Sequence, residues 1–362
     1  MKKAFIMSAK YSPGHFSHML AYYKLFEESN YQPYLFVDNQ YNSFLRDYKE
    51  FQSIVLDTCF DVIPDILLIY NLSSKDMKYV KQLKRKNAEL KVYFVYHEPW
   101  YGLKEWVYDL IKHNESMVHS FKALGRYIYA KPVLKIADKV ILSSNKAVDF
   151  YKKNCIKYNK NYDLFPLVFT DESSSDNTSL IKDKKYFSYI STAVAAKNFD
   201  VFIKYIKYRS RKDKNALFQI ATRTDISSYI DSEIQSLIDS KRLVVNYGHS
   251  LSNAEINYAY AISCCTWMLY KRSTQSGVLC KAMMFGSPVI ASDIGSFKEF
   301  VDGSNGIVLN ENYSFQDIDK AYGSIMSKLE SFSQNARKTF LNKFLYVNQV
   351  ERFKKLLSGN DL

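Results

Sequence analysis

Along this chain, short apolar runs alternate with segments whose apolar positions recur every three to four residues. "AFIMSA" (4–9) reads as a strand, and "HFSHMLAYYKLFEES" (15–29) after it has helical spacing. "PYLFVD", "SIVLD" and "DILLIY" are further strand-like runs. "MKYVKQLKRKN" is a basic amphipathic helix, followed by the strand "KVYFVYH" (91–97). "KVILSS" (139–144) and the helix "NKAVDFYKKN" close this half. The polar, serine-rich run "DESSSDNTS" (171–179) then reads as a linker. Beyond it the rhythm restarts with "YFSYIS" (186–191), the helix "NFDVFIKYIKYRS", the strand "LFQIAT" and the helix "IDSEIQSLIDS". "LVVNY", "NAEINYAYAI", "CCTWMLY", a short helix and "SPVIAS" continue it, and 314–362 is helical. Strands alternating with helices predict an α/β fold with parallel sheets and crossover helices. Two doubly wound domains of similar size are expected, 1–172 and 180–340, facing a central cleft. Ligands bind such sheets at the carboxyl ends of their strands.

At 362 residues the chain is too long for one ordinary core, and 47% hydrophobic content leaves disorder only for short linkers. No run of about 18 apolar residues predicts a spanning helix. "MKKAFIMSAKYSPG" has too short an apolar run for a signal peptide and reads as the first strand. Cys59, Cys155, Cys264, Cys265 and Cys280 lack metal-ligand spacing, and the adjacent pair Cys264–Cys265 suits a disulfide poorly. Reduced thiols in a cytoplasmic protein are expected.

The net charge of +13 changes the picture because it clusters. Residues 75–131 hold twelve Lys/Arg against six Asp/Glu, together with Trp100, Tyr101, Trp106, Tyr108 and Tyr127. Basic residues with interfacial aromatics suit an anionic membrane surface, here the inner face of the plasma membrane. A solvated basic face is the plainer alternative. No nucleic-acid-binding signature accompanies the charge, so nucleic acid is not an expected partner.

One stretch carries candidate chemistry: "STQSGVLCKAMMFGSPVIASD", Ser273 to Asp293. A helix opening after Thr274-Gln275-Ser276-Gly277 presents unpaired amides and a partial positive charge, which attract phosphate. Gly277 permits close backbone approach, Ser276 and Thr274 offer hydroxyls, and Lys271 and Arg272 stand just before the turn. By itself the pattern is equally a serine N-cap before an apolar helix.

The sequence from Lys281 onward, "KAMMFGSPVIASDIGSFKEFVDGSNGIVL", resembles the donor-binding segment of GT-B glycosyltransferases of the family-4 type. Ala282, Met283, Gly286, Pro288, Val289, Ile290, Ala291, Ser292, Gly295, Glu299, Val301, Gly303 and Gly306 fall in step with it. "AAKNFDVFIKY", "NYGHSLSNAEINYAYAIS", "VYHEPW" and the final "FLYVNQVERFKKLL" resemble further segments in the same order. The likeness covers nearly all of the C-terminal half and is looser before it. It implies two Rossmann-like domains, with 341–362 as a helix returning to the N-terminal one. It also implies transfer of a hexose or N-acetylhexosamine from a nucleoside-diphosphate sugar, UDP-linked above all, to a growing surface polysaccharide or lipid-linked glycan. Family-4 relatives retain anomeric configuration.

On this resemblance Lys197 falls on the phosphate-binding lysine. The arginine expected six residues earlier is Ser191, leaving Arg272, Lys271 or Arg223 to replace its charge. Gly248 and His249 fall where backbone grips the base. The family's paired glutamates fall on Ser273 and Lys281, neither a carboxylate. Some members of the group read "TQSGV" here, so Gln275 and Val278 stand in the donor loop, with Gln275 offered to sugar hydroxyls and Lys281 to ribose or phosphate. In the first half, His97 and Glu98 of "YHEPW" are the expected catalytic pair, and Gly14 and His15 after the first strand the expected acceptor contact. No D-x-D pair follows a strand, so neither metal nor other cofactor is expected beyond the nucleotide sugar. Loss of both glutamates leaves one alternative, a non-catalytic subunit that binds acceptor or a partner enzyme.

Overall fold

The computed structural model describes all residues except 47, 60, 98, 100–116, 174–182, 274 and 360–362. Glu98, Thr274, Trp100, Tyr101, Trp106, Tyr108 and most of the linker run therefore lie outside the described residues. The chain divides into two units, 1–170 with 343–362, and 171–342.

The first unit is built on a seven-stranded parallel sheet in the order β3-β2-β1-β4-β5-β6-β7. The strands are β1 (Lys2–Ser8), β2 (Tyr31–Val37), β3 (Ser53–Val55), β4 (Ile66–Asn71), β5 (Lys91–Val95), β6 (Lys139–Leu142) and β7 (Tyr162–Leu164). Residues 4–8 of β1 are buried without interruption, because both faces of a parallel sheet are covered by crossover helices. Alternation along β1 divides them between two cores. Ala4 and Ile6 pack with Met19, Leu20 and Phe26 of helix α1 (Phe16–Glu28) and with Phe353 of the terminal helix Val350–Ser358. Phe5 and Met7 share the other core with α2 (Asp76–Lys86), α3 (Met117–Ile136) and α4 (Asn145–Asn154), through Tyr79, Val80, Val133, Leu134 and Tyr151.

The second unit has a six-stranded sheet in the order β10-β9-β8-β11-β12-β13. Its strands are β8 (Tyr186–Ile190), β9 (Phe218–Thr222), β10 (Leu243–Tyr247), β11 (Ser263–Met268), β12 (Val289–Ser292) and β13 (Gly306–Leu309). The main helices are α5 (Phe199–Lys212), α6 (Ser232–Asp239), α7 (Asn253–Ala261), α8 (Gly277–Met284), α9 (Phe315–Met326) and α10 (Leu329–Lys343). In both units the strand order reverses beside the first strand, between β1 and β4 and between β8 and β11. At such a switch point adjacent loops diverge and leave a crevice. The edge strands β7 and β13 escape the sequence reading because three or four residues are too short to show a period. Residues 171–172, read as linker, are instead anchored. Asp171 pairs with Arg337, and Glu172 accepts from Lys281 at 2.8 Å.

Candidate functional site

At the switch point of the second unit, the loops after β8 and β11 are tied together. Lys271 N–H donates to Ala196 O (2.9 Å), and Arg272 N–H reaches the same oxygen at 3.4 Å. Asn198 holds the junction from the other side, donating its amide to Leu269 O at 2.7 Å and to Tyr313 Oη at 3.2 Å. Its backbone is left-handed, φ 53°, a conformation asparagine tolerates better than most residues, and this turns the chain into α5. The loop after β9 joins in, since Ala193 N–H donates to Thr222 Oγ1 (3.2 Å) and Thr224 Oγ1 (3.1 Å).

Functional side chains gather on this frame. Lys197 Nζ donates to Ser191 Oγ and lies 5.5 Å from the centre of the Tyr270 ring. Burial raises the Tyr270 phenol well above its usual range, opposed by the nearby Ser191 and Ser276 hydroxyls, and its Oη makes no hydrogen bond. Gln275 is the most telling. Its Oε1 and Nε2 are both shut off from solvent and neither has a hydrogen-bond partner. A buried carboxamide left open at donor and acceptor costs free energy unless a ligand satisfies it. Arg272, Gly277 and Val278 are half-buried beside it.

Ser276 does not cap the helix that follows it. Helix α8 begins at Gly277, and the Ser276 side chain makes no capping bond. It is 8% exposed and lies near the buried Tyr270 phenol. Lys281 has partners of its own. It donates to Glu172 Oε2 (2.8 Å) and Asn257 Oδ1 (2.9 Å), leaving one of its three N–H groups for another contact. No sequence signal joins Glu172 to Lys281, because that pairing depends on where the chain enters the unit.

Three other residues stand apart from the switch point. Arg223 is exposed in the loop after β9. Gly248, at φ 80°, and His249 follow β10, two strands from β8, or about 10 Å at ordinary strand spacing. His249 Nδ1–H donates to Tyr247 O (3.1 Å), and Nε2 lies 3.7 Å from Glu255. The Ser252 backbone amide, with Asn246 and the Ser252 hydroxyl, holds the Glu255 carboxyl down to about 2.

The first unit collects imidazoles at its own switch point. His97, following β5, donates Nε2–H to Tyr70 O (3.1 Å), leaving Nδ1 as acceptor on a neutral ring. Its ring centre is 4.7 Å from Tyr70 and 5.4 Å from His15. His18, which the sequence marks only as a neighbour of His15, completes the group at 6.2 Å from His15 and donates Nδ1–H to Val168 O (3.0 Å). Burial pushes the His97 pKa well down, helped by the charges His15 and His18 would carry. Gly14 is exposed, and a Cβ there would meet nothing within 4 Å, so its lack of a side chain is not what opens this site. Among the described residues no group of three His, Cys, Asp or Glu could hold a metal ion.

Comparison with known proteins adds a family match within the second unit and a fold. Residues 184–327 match the family model described as "Glycosyl transferases group 1". No curated protein sequence matches the chain. Among solved structures, HepE of Anabaena in complex with UDP and glucose superposes with a TM-score of 0.71 at 13% identity, over 99% of this chain and 100% of that one. Sucrose-phosphate synthase of Thermosynechococcus elongatus gives 0.69 at 13% identity over 99% of both chains. A glycosyltransferase from Rickettsia africae ESF-5 gives 0.68 at 14%, again over 99% of both.

Proposed function

We propose that the chain transfers a hexosyl or N-acetylhexosaminyl group from a UDP-sugar to a growing, lipid-linked surface glycan; its GT-B fold and the match of residues 184–327 to the group 1 glycosyltransferase model support this reading. The observation that carries this reading is the switch point between β8 and β11, where Lys197 follows β8 and the unpartnered Gln275 carboxamide follows β11. The helix dipole of α8 and the cations Lys197 and Arg272 would neutralise the leaving diphosphate, a compensation that needs no metal. Gln275 would take its missing partners from sugar hydroxyls. His97, neutral at physiological pH, would exchange a proton with the acceptor hydroxyl through Nδ1. Retention of configuration is part of the proposal, on the resemblance to the family-4 transferases.

The test is a melting scan with UDP, UDP-glucose, UDP-N-acetylglucosamine and GDP-mannose. A ligand at 100 times its Kd stabilises the fold by about 2.7 kcal/mol. A UDP-sugar should raise the Tm, and Gly277→Val should abolish the rise while melting near the parent temperature. No shift with any nucleotide would remove the donor site.

A further inference from the structure

The helical layer on one face of the first unit is charged unlike the layer on the other. Helix α2 exposes Lys78, Lys81, Arg85 and Lys86, while its one acid, Asp76, is buried. Helix α4, outside the basic segment marked by the sequence, exposes three more lysines against Asp149. The opposite layer is different, since α1 exposes Glu27 and Glu28, and the terminal helix exposes Glu351 and Lys355. Between the basic helices, α3 holds two large apolar side chains out to solvent, Ile128 at 54% and Tyr129 at 45% exposure. Helices α2, α3 and α4 share one core beneath, so their outward sides form a single surface.

We propose that this α2–α3–α4 surface docks on an anionic lipid bilayer. A bilayer satisfies both parts of the surface at once. Its headgroup charge matches seven exposed cations of α2 and α4 against the exposed Asp149 and the Asp57 that pairs with Lys78, and its interfacial zone takes up Ile128 and Tyr129. A soluble polyanion would use the cations and leave Ile128 and Tyr129 in water. No described helix is long and apolar enough to cross a membrane, and the contact proposed is peripheral. It stands independently of the donor-site reading, because neither the crevice nor nucleotide binding enters it.

The experiment is co-sedimentation of the full chain with vesicles of phosphatidylcholine alone or mixed with phosphatidylglycerol, beside binding to dextran sulfate in solution. Each basic residue near an anionic surface contributes about fivefold to affinity, roughly 1 kcal/mol. Lys81→Gln with Arg85→Gln should therefore weaken binding to the mixed vesicles about 25-fold, and salt should weaken it steeply. Ile128→Ser with Tyr129→Ser should weaken vesicle binding while leaving dextran sulfate binding unchanged. All four positions are exposed, so melting temperatures should stay near the parent value. Equal binding to phosphatidylcholine alone, or full vesicle binding by either double variant, overturns the proposal.

Discussion

Replacing Gln275 with methionine should stabilise the ligand-free protein and weaken binding of the proposed UDP-sugar donor. The two side chains have similar length and volume, so the change swaps two polar atoms for apolar ones with little repacking. Both amide atoms are buried without partners, and an unsatisfied buried polar group costs about 1–3 kcal/mol. In a unit spanning 171–342, each kcal/mol moves the Tm by about 2–4 °C, so a rise of several degrees is expected without ligand. Donor binding should move the other way. Loss of two neutral hydrogen bonds to sugar hydroxyls, at about 0.5–1.5 kcal/mol each, weakens UDP-sugar binding roughly 5- to 150-fold. UDP alone, which lacks the sugar, should bind within about twofold of the parent. Calorimetric titration with UDP and with UDP-glucose, beside a thermal melt of the free protein, reads all three quantities. A lowered Tm would show that Gln275 is structurally satisfied. Unchanged UDP-sugar affinity with a raised Tm would show that its amide faces no sugar.

Lys197→Met should weaken UDP itself about ten- to a hundredfold, since a charge-assisted bond to phosphate contributes about 1.5–3 kcal/mol; titration with UDP checks it, and parental affinity would take Lys197 out of the site. Lys184 makes a prediction about pH. Its ammonium donates to Phe285 O (2.8 Å), Ser263 O (3.2 Å) and Ala261 O (3.3 Å), and burial pushes its pKa down to about 7. The unfolded chain, with lysine near 10.5, then binds more protons between those values, so stability should rise with pH across that window at up to about 1.4 kcal/mol per unit. Urea unfolding at pH 7, 8.5 and 10 should show this slope in the parent and a shallower one in Lys184→Met; identical slopes would mean that the three carbonyls hold the proton despite burial.

The alternation of strands and helices was legible along the chain because strands buried on both faces are largely apolar, as β1, β4 and β11 are. Lys197 and Gln275 were singled out by the resemblance to family-4 transferases, and His97 by its place at the end of a strand. Chain order says nothing about which loops become neighbours. That depends on β8 pairing with β11, a hydrogen-bonded contact between segments far apart in sequence. Only that pairing sets Lys197 against Ser191 and Tyr270, and only packing leaves the Gln275 amide buried and open. Whether Ser276 caps its helix was equally undecided by position, and in the folded chain its side chain makes no capping bond. The Glu172–Lys281 pair, His18 among the imidazoles and α4 beside α2 were invisible for the same reason. Periodicity is a local property that a single strand or helix carries by itself. Proximity in the folded chain is decided by strand order and by which faces share a core, and no local run of residues contains it.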